Sequence, residues 1–222
     1  MRPARHLRPG ERTLEDQVQR HEWSDEEIAA LLAASEALAR RPESRYDYAP
    51  ILRTAVYTGL RLGELLGLKW SDVDLDRAVL HVRRQFTRMC ELTEPKTRTS
   101  LRRVPLATEM VSLLRSHKLR STFSQEEDFV FAATTGGPLS HRNLQRRGFE
   151  LARDRAGIDP TVTFHDLRHA FASYAAHRGV PVNVLSEVMG HTHVGITQRV
   201  YLHLYDRDRA EEAFRAAMTT SR

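Results

Sequence analysis

Residues 165–169 read HDLRH, two histidines four positions apart with an arginine between them. On a helix His165, Arg168 and His169 share one face. This spacing matches half of a zinc site, similar to the H-E-x-x-H helix of metalloproteases. However, Asp166 stands where such an enzyme has its general-base glutamate, and a permanent guanidinium repels Zn²⁺. The residue types favour an anion, because arginine offers a bidentate pair of donors and the imidazole offers one more.

Other residues that could do chemistry are scattered. In TGLRLGELLGLKWSDVD, Arg61 precedes Glu64 by three residues, so one helical turn could let the carboxylate hold the guanidinium. Taken alone, the fragment fits an exposed and nearly neutral ion pair better. In VMGHTHVGITQRVYLHL, His191 and Tyr201 are, as isolated residues, typical packing or surface groups. His169 is interpreted as a structural histidine beside core residues.

Positive charge is concentrated in two stretches of a chain whose formal charge is +5 and whose sequence pI is near 9.7. One is residues 81–103 and the other is the helix after TTGGP, where the spacing predicts one basic helical face. Both fit a solvated surface, and both fit a surface that lies along a nucleic-acid backbone. The DNA-binding candidates are Arg83, Arg84, Arg98, Arg102, Arg103, Arg142, Arg146 and Arg147.

Composition excludes several classes of protein. Cys90 is the only cysteine, so an intramolecular disulfide and a Cys-rich zinc module are both excluded. No apolar run approaches the roughly 20 residues that span a bilayer. The start MRPARHLRPGERT has no apolar stretch typical of a signal peptide. These features predict a soluble, cytoplasmic protein with no membrane partner.

The pattern along the chain predicts an α+β fold that is mainly α-helical. Residues 1–22 are polar and arginine-rich, which indicates a basic arm or linker remnant. Ser24 and Glu27 predict a capping box at the start of the first helix. A β-hairpin within a small antiparallel sheet is predicted at about 78–105. Helices are predicted at about 46–58, 63–68, 107–119, 140–156, 166–178, 181–189, 194–203 and 207–218, with a short strand or buried segment at 129–133.

Four stretches in order resemble the catalytic domain of a tyrosine recombinase, the phage integrase family. They are TGLRLGELLGLKWSDVDL, EPKTRTSLRRVPL, TFHDLRHAFAS and MGHTHVGITQRVY. By this resemblance Arg61 is the first active-site arginine and Glu64 its supporting acid. Lys96 is the hairpin lysine, and Tyr201 is the nucleophile. The H-x-x-R pair is His165 and Arg168, and the second histidine is His191.

The resemblance implies a site-specific recombinase that cleaves and rejoins DNA through a 3′-phosphotyrosyl link, without metal, cofactor or ATP. Two arginines would bind the non-bridging phosphate oxygens, and Lys96 would protonate the leaving 5′ oxygen. His165 would handle a proton near the nucleophile, and His191 would donate to a phosphate oxygen. An unperturbed tyrosine has a pKa near 10, so ionising it at pH 7 costs about 4 kcal/mol, which nearby cations reduce.

The resemblance also implies partners and a domain plan. The catalytic domain would span 23–205, followed by a helical tail at 206–222 that could dock on its own domain or on a neighbour in a tetramer on paired sites of double-stranded DNA. Most members carry an N-terminal clamp domain, whereas only a 22-residue arm is expected here. His193 also departs from the usual small polar residue. Two alternatives stay open: a type IB topoisomerase, and an inactive DNA-binding relic or regulator with the same fold.

Overall fold

The computed structural model describes residues 21–93, 101–191 and 194–201, together with residues 215 and 218. The predictions for residues 1–20, for Lys96 and Arg98 in the hairpin, for His193, and for a helix at 207–218 therefore lie outside the described residues or almost entirely so. Within the described part the chain is mainly helical with small antiparallel sheets, which confirms the predicted fold class.

The helices follow the predicted order closely. They are α1 (Asp25–Ala39), α2 (Ala49–Thr58), α3 (Leu62–Leu66), α4 (Thr108–Arg120), α5 (His141–Asn143), α6 (Leu151–Arg155), α7 (Asp166–His177), α8 (Val182–Met189) and α9 (Val194–Tyr201). A 3-10 turn covers Trp70–Asp72, and a π-helical segment, Leu144–Glu150, joins α5 to α6. Residues 141–155 thus form one continuous helical run, as the sequence predicted for 140–156.

Helix α1 begins where its capping residues predict. The Ser24 hydroxyl accepts a hydrogen bond from the Glu27 amide at 3.1 Å, and the Glu27 carboxylate accepts one from the Ser24 amide at 3.0 Å. Two amides that would otherwise lack partners at the helix start are satisfied in this way. The buried face of α1, which includes Ile28, Leu31 and Leu32, packs against α2 and α6.

The predicted hairpin contains two antiparallel pairings. Strands β1 (Val73–Asp74), β2 (Val79–Val82) and β5 (Arg102–Pro105) form a sheet in the order β1-β2-β5. Strands β3 (Gln85–Phe86) and β4 (Leu92–Thr93) form a second pair between β2 and β5 in the sequence. On β5 burial alternates, because side chains of neighbouring residues point to opposite faces, and this turns the side chain at 102 inward and the one at 103 outward.

The segment predicted as a short strand or buried segment at 129–133 is a buried segment held by isolated bridges. Phe129 bridges to Lys69, and the Val130 amide donates to the Leu68 carbonyl at 2.9 Å. Val130 and Phe131 are fully enclosed in the main core. Their burial on all sides explains why the apolar run shows no alternation.

Helix α7 lies between two groups of buried side chains. Leu167 and Ala170 belong to the main core, to which α1, α2, α3, α4, α6 and the strands β2 and β5 contribute buried side chains. Its alanines at 172, 175 and 176 belong to a smaller cluster with Leu185 and Met189 of α8 and Tyr201 of α9. Helix α7 packs against both α2 and α8. In the part of the chain that the structure describes, no helix is both long and apolar enough to cross a membrane.

Candidate active site at the end of helix α8

Three arginines converge on the C-terminal end of α8. Helix C-termini carry carbonyl groups without helical partners and a partial negative charge, so arginine side chains are favourable there. The three pairs are Arg102 Nε with the Val188 carbonyl at 2.6 Å, Arg168 Nη2 with the Met189 carbonyl, and Arg61 Nη2 with the Gly190 carbonyl at 3.4 Å. Gly190 takes the left-handed conformation at φ 65°, which ends the helix and leads directly into His191.

Arg61 is held by Glu64, as the sequence spacing allowed. The Glu64 carboxylate accepts from the Arg61 amide at 2.8 Å and from Arg61 Nη1 at 2.9 Å. The Arg61 side chain keeps 38% of its surface exposed, whereas that of Glu64 keeps 5%. The pair is therefore not the exposed and nearly neutral one that the fragment alone favoured.

Glu64 also binds a second arginine. Its two oxygens accept from Arg102 Nη1 at 2.9 Å and Nη2 at 2.8 Å. Burial by itself raises the pKa of Glu64, but the hydrogen bonds and charge of Arg102, together with the charge of Arg61, outweigh it and lower that pKa to about 2. The carboxylate is thus ionised at neutral pH.

Arg168 is buried between α2 and α8, with 4% of its surface exposed. Besides the Met189 carbonyl, it donates from Nη1 to the Gly59 carbonyl at 2.6 Å. Gly59 ends α2 at φ 62°, and a Cβ there would lie 2.3 Å from Phe171 Cδ1, so only glycine fits. Burial, with repulsion from Arg61, lowers the pKa of Arg168 to about 9, which leaves it charged at neutral pH.

Tyr201 lies beside α7. Its hydroxyl forms a hydrogen bond with Nδ1 of His169, and only 3% of its surface is exposed. The His165 ring lies edge-on to that of His169 with centroids 5.2 Å apart. Tyr201 is thus bound to the residue that follows Arg168 in α7. His191 Nδ1 lies 2.7 Å from the hydroxyl of the buried Thr197 on α9.

The histidine on the tyrosine is therefore His169, which the sequence analysis interpreted as structural. The rings of His165, His169 and Tyr201 follow one another in a row. His165, which was predicted to handle the proton, is at the exposed end of that row. The sequence does show that positions 165 and 169 lie one turn apart on the same helix face, so either histidine could contact the tyrosine. Nothing in the sequence indicates which of the two faces a residue 32 positions further along.

The prediction that Arg102 binds DNA is wrong. Its side chain is 2% exposed and its guanidinium is bound to Glu64 and Val188, so it cannot lie along a DNA surface. Arg84 is partly buried and donates to the enclosed Asp72 carboxylate at 2.6 Å, while Arg83 lies 3.6 Å from that carboxylate and is half exposed. Arg103, on the outer face of β5, is exposed.

The basic helix after Ser140 does not present all its arginines on one face. Arg142 and Arg146 line a cavity of about 500 Å³ together with Arg88 of the β3–β4 turn. Arg147 instead lines a separate cavity, together with Tyr48. Neighbouring residues on a helix point about 100° apart, so Arg147 lies off the face of Arg146, and the single basic face that the sequence predicted is wrong for Arg147.

In the described ranges no group of three or more His, Cys, Asp or Glu residues is placed to hold a metal ion. Within the HDLRH motif, Asp166 caps the turn that precedes α7, because its carboxylate accepts from the Thr163 amide and hydroxyl, both at 2.7 Å. Asp166 thus has a structural task at the position where a metalloprotease has its general base.

Comparison with known proteins identifies the family. The model of the phage integrase family matches residues 23–208. The chain belongs to the phage integrase family. A relative of this family member, a XerC-like tyrosine recombinase from Caldanaerobacter subterraneus subsp. tengcongensis, is 30% identical over 210 residues, which cover 84% of this chain and 51% of the relative. The chain therefore spans about half the length of that relative.

Solved structures agree with the fold of this phage integrase family member. The catalytic domain of bacteriophage HP1 integrase matches with a TM-score of 0.56 and 24% identity, covering 87% of this chain and 92% of that domain. A Tn1549 transposon integrase in complex with transposon right end DNA matches with a TM-score of 0.69 and 21% identity, covering 86% of this chain and 65% of that one. The predicted integrase-like catalytic fold is confirmed.

Proposed function

We propose that this chain is the catalytic domain of a site-specific DNA recombinase, which cleaves and rejoins DNA strands through a 3′-phosphotyrosyl intermediate. One observation carries the proposal: Arg61 and Arg168 meet at the end of α8 beside His191, with Tyr201 bound to His169, the residue that follows Arg168 in α7. The catalytic domain is assigned to residues 23–205, which the family match at 23–208 supports. Residues 206–222 are assigned to a C-terminal helical tail.

The two arginines act on the scissile phosphate. Arg61, the more exposed of the two, donates hydrogen bonds to one non-bridging oxygen, and the buried Arg168 contributes positive charge from beneath the site. Negative charge grows on these oxygens as the phosphorus becomes five-coordinate, so fixed cations stabilise the transition state more than the ground state. His191, which follows the α8 terminus, donates to a phosphate oxygen. Because arginines supply the positive charge, this chemistry needs no metal ion and no cofactor.

Proton transfers complete the step. The Tyr201 hydroxyl gives its proton to His169 Nδ1, its oxygen bonds to phosphorus, and the bond from phosphorus to the 5′ oxygen breaks. The leaving 5′ oxygen takes a proton from Lys96, a role that rests on the family resemblance. One phosphoester bond replaces another, so a DNA 5′-hydroxyl can reverse the step without ATP.

The nucleophile must become accessible before it can attack. Tyr201 is enclosed by alanines of α7 and apolar side chains of α8, and its hydroxyl is bound to His169. A DNA phosphate therefore reaches the Tyr201 oxygen only after a shift of α9 that opens one side of the hydroxyl and keeps its contact with His169. The described arrangement is therefore assigned to the resting, DNA-free enzyme.

A DNA-binding surface is proposed from the exposed arginines that remain. Arg88, Arg142 and Arg146 line one cavity, and Arg83 and Arg103 lie outward on or beside the sheet. Each cation that meets a backbone phosphate adds to affinity and to its salt dependence. Support comes from the Tn1549 integrase of similar fold, whose structure is a complex with transposon DNA. Arg98 and Arg147 remain candidates from the sequence.

The assembly and location of the protein are also proposals. We infer that it acts on double-stranded DNA in the cytoplasm, as a tetramer on paired sites in which the tail at 206–222 docks on a neighbouring subunit. Joining strands from two DNA sites requires more than one nucleophile in one complex. This requirement supports an oligomer over a monomer.

The function is tested by trapping the covalent intermediate. Incubation with a DNA substrate nicked next to the scissile phosphate lets the short released fragment, which carries the free 5′-hydroxyl, diffuse away, so the protein–DNA adduct accumulates. We expect an adduct on a denaturing gel that EDTA does not diminish. Two forms are assayed: the chain itself, and the chain joined to the N-terminal domain of a XerC-like relative. If neither form makes the adduct, the proposed recombinase is contradicted in favour of a DNA-binding protein; loss with EDTA would indicate metal chemistry.

His169→Asn tests the proton acceptor. Asparagine keeps a side chain of similar size but lacks the basic nitrogen, so single-turnover cleavage is expected to slow by about a hundredfold. Added imidazole is expected to restore part of the rate. His177→Asn, on the exposed last turn of the same helix, is the matched control and should leave the rate unchanged. Faster cleavage by His169→Asn would instead mean that His169 only holds Tyr201 in its resting place.

A further inference from the structure

We propose that Arg102 is a positioning residue of the active site: it fixes Glu64 to the end of helix α8, and so sets the places of Arg61 and His191. The proposal rests on the proposed recombinase function, because the site that it positions is the phosphate site. Arg102 does not itself reach the reacting atoms. It acts through Arg61 and His191, which do.

All three nitrogen atoms of the Arg102 guanidinium donate hydrogen bonds. Nη1 and Nη2 donate to the two oxygens of Glu64 at 2.9 and 2.8 Å, and Nε donates to the Val188 carbonyl at 2.6 Å. The Arg102 and Glu64 side chains are 2% and 5% exposed. A planar fork that meets a carboxylate in this way fixes its orientation as well as its distance. Arg102 thus determines how the Glu64 carboxylate is turned.

Glu64 transmits this orientation to Arg61. The oxygen that accepts from Arg102 Nη1 also accepts from Arg61 Nη1, and the other oxygen accepts from Arg102 Nη2 and from the Arg61 amide. A carboxylate held only by Arg61 could turn about its terminal side-chain bond, and the Arg61 guanidinium would turn with it. With Arg102 in place, both oxygens are fixed, and the half-exposed guanidinium of Arg61 has one position from which to receive a phosphate.

The other end of the link is the α8 terminus. Gly190 leaves room for the Arg102 side chain, since a Cβ at Gly190 would lie 3.0 Å from Arg102 Cδ and 3.1 Å from its Nη1. The Val188 carbonyl that Arg102 binds lies three residues before His191. Arg102 therefore connects β5, the strand that closes the predicted lysine hairpin, to the turn that carries the second histidine.

An arginine outside the site supplies a matched control. Arg115 on α4 also donates to a carboxylate, that of Asp76 at 2.8 Å, but its side chain is 54% exposed. Arg102→Lys keeps the charge and loses the fork, since an ammonium cannot bond to both oxygens of Glu64 and to Val188 with the same geometry. Arg115→Lys makes the same chemical change at the surface, away from Glu64 and α8.

The first test is single-turnover cleavage of the nicked DNA substrate. Arg102→Lys is expected to slow cleavage about thirtyfold while DNA affinity changes less than about twofold, because the substituted group acts on the chemical step. Arg115→Lys should cleave at the wild-type rate. Arg61→Lys and the double variant complete a cycle: with Arg61 already replaced, Arg102→Lys should cost less than about threefold, because coupled residues are not additive. Equal losses in both backgrounds, or no loss in wild type, would overturn the proposal.

The second test does not depend on DNA cleavage. Amide hydrogen exchange at residues 186–191 is expected to rise at least about tenfold in Arg102→Lys, while the core helix α2 keeps its protection. Arg115→Lys should match wild type throughout. Unchanged exchange at 186–191, or an equal rise over the whole molecule, would contradict the positioning role. If the wild type forms no adduct, the recombinase proposal fails by itself and hydrogen exchange alone decides whether Arg102 positions the α8 terminus.

Discussion

Tyr201→Phe is expected to abolish the covalent DNA adduct and to leave DNA affinity within about twofold of wild type, because the change removes one nucleophilic oxygen and no phosphate-binding cation. The ring sits among apolar side chains of α7 and α8, so phenylalanine fills the same space. Adduct formation is followed on a denaturing gel, and affinity by fluorescence anisotropy with labelled DNA. Thermal unfolding checks that the variant is folded.

Tyr205→Phe is the control for this result. Tyr205 lies four residues further along the sequence, outside the described residues, and carries the same hydroxyl. It is expected to form the adduct at the wild-type rate. Adduct from Tyr201→Phe, together with its loss in Tyr205→Phe, would transfer the nucleophile's role to Tyr205 and contradict the assigned site.

Arg168→Ala is expected to slow cleavage by at least about a thousandfold, because the charge that stabilises the transition state is lost. DNA affinity should fall by less than about fivefold, since one phosphate contact among several is removed. The thermal midpoint should also fall. The Gly59 and Met189 carbonyls lose their donor, and each unsatisfied buried group costs about 1–3 kcal/mol. Single-turnover cleavage, anisotropy and thermal unfolding separate the three effects.

Arg178→Ala is the matched control for Arg168→Ala. Arg178 follows the end of the same helix, is exposed, and lies over the Tyr174 ring at 3.4 Å from its centroid. Its replacement removes the same charge and should leave cleavage unchanged. Parallel loss of cleavage and DNA binding in Arg168→Ala would mean that this arginine maintains the fold or the complex and does not act on the transition state.

Local patterns predicted the elements well where their causes are local. The capping box at Ser24 and Glu27 depends on residues three apart, and it forms as predicted. Gly59 and Gly190 end α2 and α8 because the left-handed conformation costs glycine little. The order and type of the helices follow from such signals. The resemblance to the integrase motifs supplied what local patterns could not, namely which distant residues belong to one site.

Contacts between distant residues were harder to predict. The partners of Arg102 are 38 and 86 positions away, and no local rule distinguishes it from the exposed Arg103 except the alternation of LRRVPL along a strand. In that run Arg102 shares a face with Val104, a signal that it points inward. His169 and Tyr201 meet across 32 positions only because α7 and α9 pack around the same small cluster.

The most direct test of the proposed mechanism is to identify the residue to which the DNA becomes bonded. The adduct formed on nicked DNA is digested with nuclease and protease, and the modified peptide is sequenced by mass spectrometry. We expect a nucleotide joined through its 3′ phosphate to the oxygen of Tyr201, in the peptide that contains VGITQRVY. A nucleotide on any other residue, or one joined through its 5′ phosphate, would contradict it.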